Sequence, residues 1–165
     1  MRNRIKRLDY IAANQLLANP NNPRRHPGKQ REALRGSLET LGYYDAVIMN
    51  ERTGYLIDGH ARVEEQLTLN ETALIPVLVV DMTEAEENQA LLTHDYITQM
   101  AIYDKDTLND LLQQTEAYDD RIADMLQDMG SVHVGGWPEA AELNLPGGSA
   151  IHPGLRADGS RTGSR

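Results

Sequence analysis

The sequence predicts an α/β (α+β) domain followed by a helical C-terminal part. Three observations carry this. Leu74–Val80 (LIPVLVV) is the most strand-like run in the chain. Ahead of it, short apolar runs alternate with segments whose apolar residues recur at helical spacing. After Asp81 the helical period alone continues, and it opens on a capping box, Thr83-Glu84-Ala85-Glu86.

In order, residues 5–12 (IKRLDYIA) form a strand with mixed faces, and Asn14–Leu17 a short helical turn. Residues 19–28 hold Pro20, Pro23 and Pro27; proline fixes φ and withholds a backbone donor, so this stretch is extended loop. Leu34, Leu38 and Leu41 define one face of a helix over 29–41, which Gly42 stops. Residues 46–57 form a hairpin, with turn chemistry at Asn50–Gly54. Asp58-Gly59-His60 leads into a helix over 61–69 with Val63 and Leu67 on one face. In the following strand Pro76 points to an edge or end position in the sheet. Three helices complete the chain: one to about Met100; one over 105–116 using Leu108, Leu111 and Leu112; and one over 119–129 that Gly130 ends. The expected organisation is a domain over 1–100, an acidic helical extension over 101–130, and a flexible Gly/Pro/Ser-rich tail over 131–165 in which Trp137 and Leu143–Leu145 dock locally.

Composition narrows the functions. The chain has 165 residues, no Cys and no Phe, so its core is aliphatic, and disulfides, thiolate metal sites and cysteine nucleophiles are excluded. No apolar run reaches the ~20 residues of a membrane span. Met1–Arg7 is basic, but no apolar segment follows as in a secretory leader, so a cytoplasmic location is expected. The net charge of −9 divides into +7 over residues 1–35 and −16 over the remainder. A basic front suits an anionic partner, or equally a solvated basic arm. Residues 81–128 hold 13 acids and two bases, a solvated face or a surface for a basic partner.

Two segments carry chemistry. Asn22-Pro23-Arg24-Arg25 is a stiff loop presenting two guanidiniums, whose forked donors match phosphate oxygens. Ile57-Asp58-Gly59-His60-Ala61-Arg62 runs from strand through Gly into a helix start, where unpaired amides favour an anion and Arg62 can close on it. Together they would make a nucleotide-phosphate pocket. The alternative reading makes Arg24 and Arg25 surface residues, Asp58 an N-cap and His60 a hydrogen-bonded structural histidine.

The order and spacing of these words resemble the ParB/sulfiredoxin superfamily, in its ParB-like N-terminal ("ParB-like nuclease") form. The matching text is Asn19–Arg24, the helix Gln30–Leu38 with Leu41-Gly42-Tyr43, Val47-Ile48, Tyr55–Arg62 and Ile75-Pro76-Val77, across about residues 5–115. The short versions found in phage and mobile elements near DNA methyltransferases look most similar. The resemblance implies a small mixed sheet with helices. It also implies CTP binding through a Gln-Pro-Arg box, matched by Asn22-Pro23-Arg24, and a Gly-Glu-Arg-Arg box, matched by Gly59-His60-Ala61-Arg62 with His and Ala in its middle positions. The magnesium-holding Glu-Asn pair of partition proteins has its counterpart in His94-Asp95, so Asp95 is the metal candidate. In sulfiredoxins the catalytic Cys stands at the place of His60; without Cys, that chemistry is excluded. The helices over 105–129 are too acidic to act as the DNA reader that follows this domain in partition proteins.

The expected function is binding of a nucleotide of the CTP or ATP class, with Mg²⁺, in a DNA-associated process. Arg24, Arg25, Gly59, His60 and Arg62 hold the nucleotide, and any DNA contact comes from the basic N-terminal region. An enzyme alternative is a metal-dependent nuclease or phosphohydrolase in which Asp58, His60 and Asp95 share the ion and His60 is the general base. A third reading is a protein-interaction module, binding a partner or a second copy through its acidic helices.

Overall fold

A computed structural model describes residues 1–133. The tail beyond, with Trp137 and Leu143–Leu145, lies outside the described residues. The elements are β1 (Ile5–Ala12), a 3₁₀ turn (Ala13–Gln15), α1 (Gly28–Thr40), β2 (Val47–Asn50), β3 (Leu56–Asp58), α2 (His60–Leu69), β4 (Leu74–Val80), α3 (Glu84–Gln99), α4 (Lys105–Gln114) and α5 (Asp120–His133). The strands form one mixed sheet in the order β1-β4-β2-β3. β4 runs antiparallel to β1 and parallel to β2, while β2 and β3 form the expected antiparallel hairpin.

β4 is therefore an interior strand, which corrects the edge position inferred from Pro76. The parallel ladder with β2 starts one residue later, at Val47↔Val77, so Pro76 has no β2 partner to deprive of a donor. The strand's alternation sorts its side chains. Ile75, Val77 and Val79 are buried in a core with Val47, Leu56, Val63, Ala13 and Leu16.

The helices bury less leucine than their periodicity suggests. Leu41 and Leu67 are exposed, and α1 turns Ala33 and Gly36 inward instead. A Cβ on Gly36 would stand 2.7 Å from the Asp119 carboxylate just ahead of α5, so the small residue permits the approach of α5 to α1. On α2 the buried partner is Glu65, only 1% exposed, which accepts hydrogen bonds from Arg31 at 2.5 Å and Arg35 at 2.6 Å. Burial pushes its carboxyl up, but the Arg35 and Arg31 guanidiniums outweigh this and hold it below its ordinary value.

Thr83 and Glu86 form the capping box of α3. Of the three α4 leucines, Leu108 and Leu112 are buried and Leu111 is exposed. Gly130 does not end α5. It is buried within the last turn, and the helix continues to His133, whose ring centroid lies 4.8 Å from that of Tyr103. No helix among the described residues is long and apolar enough to cross a membrane.

Candidate functional site

The site forms where the loop before α1, the β3–α2 junction and the second half of α3 converge. Asx turns stiffen the loop: the Asn19 Oδ1 accepts from the Asn21 N–H at 2.9 Å, and the Asn22 Oδ1 from the Arg24 N–H at 3.2 Å. Arg24 then spans to α3, donating to the Leu91 carbonyl at 3.0 Å and pairing with Asp95 at 2.9 Å. At the junction Gly59 is the N-cap of α2 with φ +86°. A Cβ there would stand 2.7 Å from Val47 Cγ2 and 3.2 Å from Val47 Cα, so both the backbone conformation and the close approach require glycine.

Asp58 is not a helix cap. Its carboxylate bonds Arg62 at 2.7 Å and lies 3.7 Å from Arg24, while Arg62 also donates to Asp45 at 2.8 Å. These side chains surround a cavity of about 240 Å³ lined by Arg24, Asp58, Gly59, His60, Arg62 and Asp95, with His26, Gln30, Leu34 and Ala61. Arg24 and the Gly59 helix start, 35 residues apart in sequence, thus line one cavity. Arg25 is exposed and stands outside that lining. The cavity's two guanidiniums face two carboxylates, so its fixed charges balance with the histidines neutral.

His60 is 5% exposed, and its Nε2 accepts from the Asn19 N–H at 3.2 Å. Burial pushes its pKa below the ordinary 6.5; Asp58 opposes this, and Arg24 and His26 reinforce it. The ring is neutral at pH 7. The Nε2 lone pair that a general base would use is engaged, which leaves the proton on Nδ1.

The donor set expected of Asp58, His60 and Asp95 is differently composed. The atoms of Asp58, His94 and Asp95 lie within 4.8 Å of one another, with His94 in place of His60. Two carboxylates and one imidazole suit a divalent cation, the carboxylates being the hard oxygen donors that magnesium prefers.

Sequence reasoning missed the polar network behind the cavity. Glu87 of α3 is 2% exposed and accepts from Asn19 Nδ2 at 2.7 Å, Thr53 Oγ1 at 2.6 Å and Asn50 Nδ2. Asn50 also binds the Met82 backbone through its carbonyl and amide. Glu87 thus ties α3 to the β2–β3 turn and to Asn19, the residue that holds His60. In the sequence Glu87 is one more acid in an acidic helix, with no mark of burial. The basic front is also less free than its composition suggests: Arg4 pairs with Glu86, Lys6 with Asp81 and Glu51, and Arg7 with Asp9 and Glu51.

No family model matches the chain, and no curated protein matches it. Among solved structures it is similar to the C-terminally truncated chromosome-partitioning protein ParB from Caulobacter crescentus, complexed with CTP-gamma-S. The TM-score is 0.53 at 15% identity, covering 66% of this chain and 61% of that one. It is also similar to a Pnob8-like ParB-N domain, with a TM-score of 0.48 at 19% identity, covering 80% of this chain and 50% of that one. The first likeness shows a ParB-like fold, with a mixed sheet and helices as the resemblance implies; the sheet has four strands.

Proposed function

We propose that this ParB-like domain binds a nucleotide of the CTP or ATP class in a DNA-associated process. The observation that carries the reading is the convergence of Arg24, Arg62 and the Gly59 helix start on one cavity. The Caulobacter relative holds CTP-gamma-S, which supports the ligand class. Arg24 and Arg62 bind and orient phosphate oxygens, exchanging their present carboxylate partners for the ligand. The Gly59 turn sets the start of α2 at the cavity, where the first α2 amides favour an anion. His60, neutral and protonated on Nδ1, acts as a hydrogen-bond donor beside them. A divalent ion, held by Asp58 and Asp95 with His94, would supply positive charge against the phosphates. The resemblance across about residues 5–115 to the short phage and mobile-element versions supports a domain of that type.

Isothermal titration with CTP, ATP and GTP in Mg²⁺ tests the proposal. Binding of at least one is expected to be lost in the Arg24→Ala, Arg62→Ala double variant, and no heat with any of them ends it. The Asp58, His94 and Asp95 cluster favours a second reading, a metal-dependent nuclease or phosphohydrolase. Plasmid nicking in Mn²⁺ that disappears in Asp95→Ala would support this reading; equal cleavage by both proteins would sink it.

A further inference from the structure

We infer that the groove between α1 and α5 is the nucleoside end of the same site. It receives the uncharged base and sugar of a ligand whose phosphates sit at Arg24 and Arg62. This rests on the nucleotide reading above and adds the direction in which the ligand lies.

The first argument is size. The Arg24–Arg62 cavity has about 240 Å³, below the roughly 300–1,000 Å³ of sites that enclose a whole small molecule. It has room for a phosphate chain and little more. The groove between α1 and α5 has about 710 Å³. Gln30 and Leu34 of α1 line both spaces, so a ligand anchored in the smaller reaches the larger along one helix face.

The second argument is chemistry. The groove offers Ala33, Leu34 and Met125 as apolar surface, suited to the face of a heterocycle. Its charged lining opposes phosphate. Glu32, Asp124 and Asp128 outnumber Lys29 and Arg121. Lys29 pairs with Asp128, and Arg121 pairs with Glu39 and Asp119. A polyanion is disfavoured here, whereas a neutral ring and sugar meet hydrogen-bonding groups and an apolar wall. The two halves of the site thus orient the ligand, with phosphates toward α2 and the base toward α5.

The experiment compares inorganic tripolyphosphate with CTP and ATP by isothermal titration in Mg²⁺, on the full chain and on Met125→Ala. Met125 is 39% exposed, so the substitution leaves folding intact, as circular dichroism would verify. The expected result is that at least one nucleotide binds tighter than tripolyphosphate. Met125→Ala then weakens that nucleotide about tenfold and leaves tripolyphosphate unchanged. If nucleotide and tripolyphosphate bind equally, or if Met125→Ala has no effect on the nucleotide, the groove assignment fails while phosphate binding stands. If none of the three binds, the nucleotide reading itself fails and the groove assignment with it.

Discussion

Asp58 lies between the two guanidiniums that a phosphate would need, alongside Asp95 on Arg24 and Asp45 on Arg62, so replacing it by Asn should remove one of the negative charges facing the ligand. Its carboxylate lies 2.7 Å from Arg62 and 3.7 Å from Arg24, and its side chain is 15% exposed. A phosphate docked on both arginines would come within roughly 5 Å of that charge. At an effective dielectric of about 20, the repulsion is about 3 kcal/mol per unit charge, and about half that where solvent screens it. Asp58→Asn should therefore bind CTP or ATP about 10- to 100-fold tighter than wild type in EDTA. In Mg²⁺ the sign should shrink or reverse, because the variant has lost a carboxylate from the cation cluster. Titration of both proteins in both buffers reads the two effects separately. Equal affinity of Asp58→Asn and wild type in EDTA would refute the view that Asp58 guards the arginines.

Gly59→Ala should destabilise the fold by about 2–5 kcal/mol, from a left-handed backbone and overpacking against Val47, measurable as a lower urea midpoint. His60 gives a pH signature. Its folded pKa lies below its ordinary 6.5, so its contribution to stability is complete above that value. The contribution falls away as pH drops through 6.5 toward the folded pKa. Thermal melts from pH 7.5 to 5.5 should show this loss, and His60→Gln should flatten it; an unchanged slope in the variant would count against a buried neutral ring. Glu87→Ala leaves three donors, from Asn19, Asn50 and Thr53, without their acceptor, and should lower stability by about 2–4 kcal/mol. Loss of the His60 Nε2 hydrogen bond, visible in the imidazole nitrogen shifts, would show that the network reaches the cavity.

The elements were legible where local physics decides them. Leu74–Val80 announces a strand, Asn50–Gly54 a turn, and Thr83 with Glu86 a helix start, because each depends on a few adjacent residues. Gly59 and Arg62 were legible as a helix-start motif, and Arg24 as a loop cation. What stayed hidden depends on partners distant in sequence. Glu87 reads as one acid of a solvated face and Glu65 carries no mark of burial in the sequence, yet each is buried among donors from other elements. Leu41 and Leu67 read as core, yet both are exposed, and α1 instead buries Ala33 and Gly36, the latter against the Asp119 side chain. That His94 rather than His60 groups with Asp58 and Asp95 was hidden for the same reason: spacing along a chain does not say which way a loop and a helix face each other.

The position of β4 has a consequence for how the molecule is made. Among the described residues it is the last strand, and it stands between β1 and the β2–β3 hairpin. A nascent chain ending before Leu74 lacks the strand between the two parts of the sheet, and the segment after β1 meets the hairpin at Leu17, which bridges Tyr55 and accepts from the Leu56 N–H at 2.9 Å. The Arg24 loop and the Gly59 turn, tied directly by the Asn19 N–H to the His60 Nε2, are set in one sheet once that strand pairs with both β1 and β2. Synthesis thus completes the frame of the cavity late, with β4 and then with α3, which supplies Leu91 and Asp95 to Arg24.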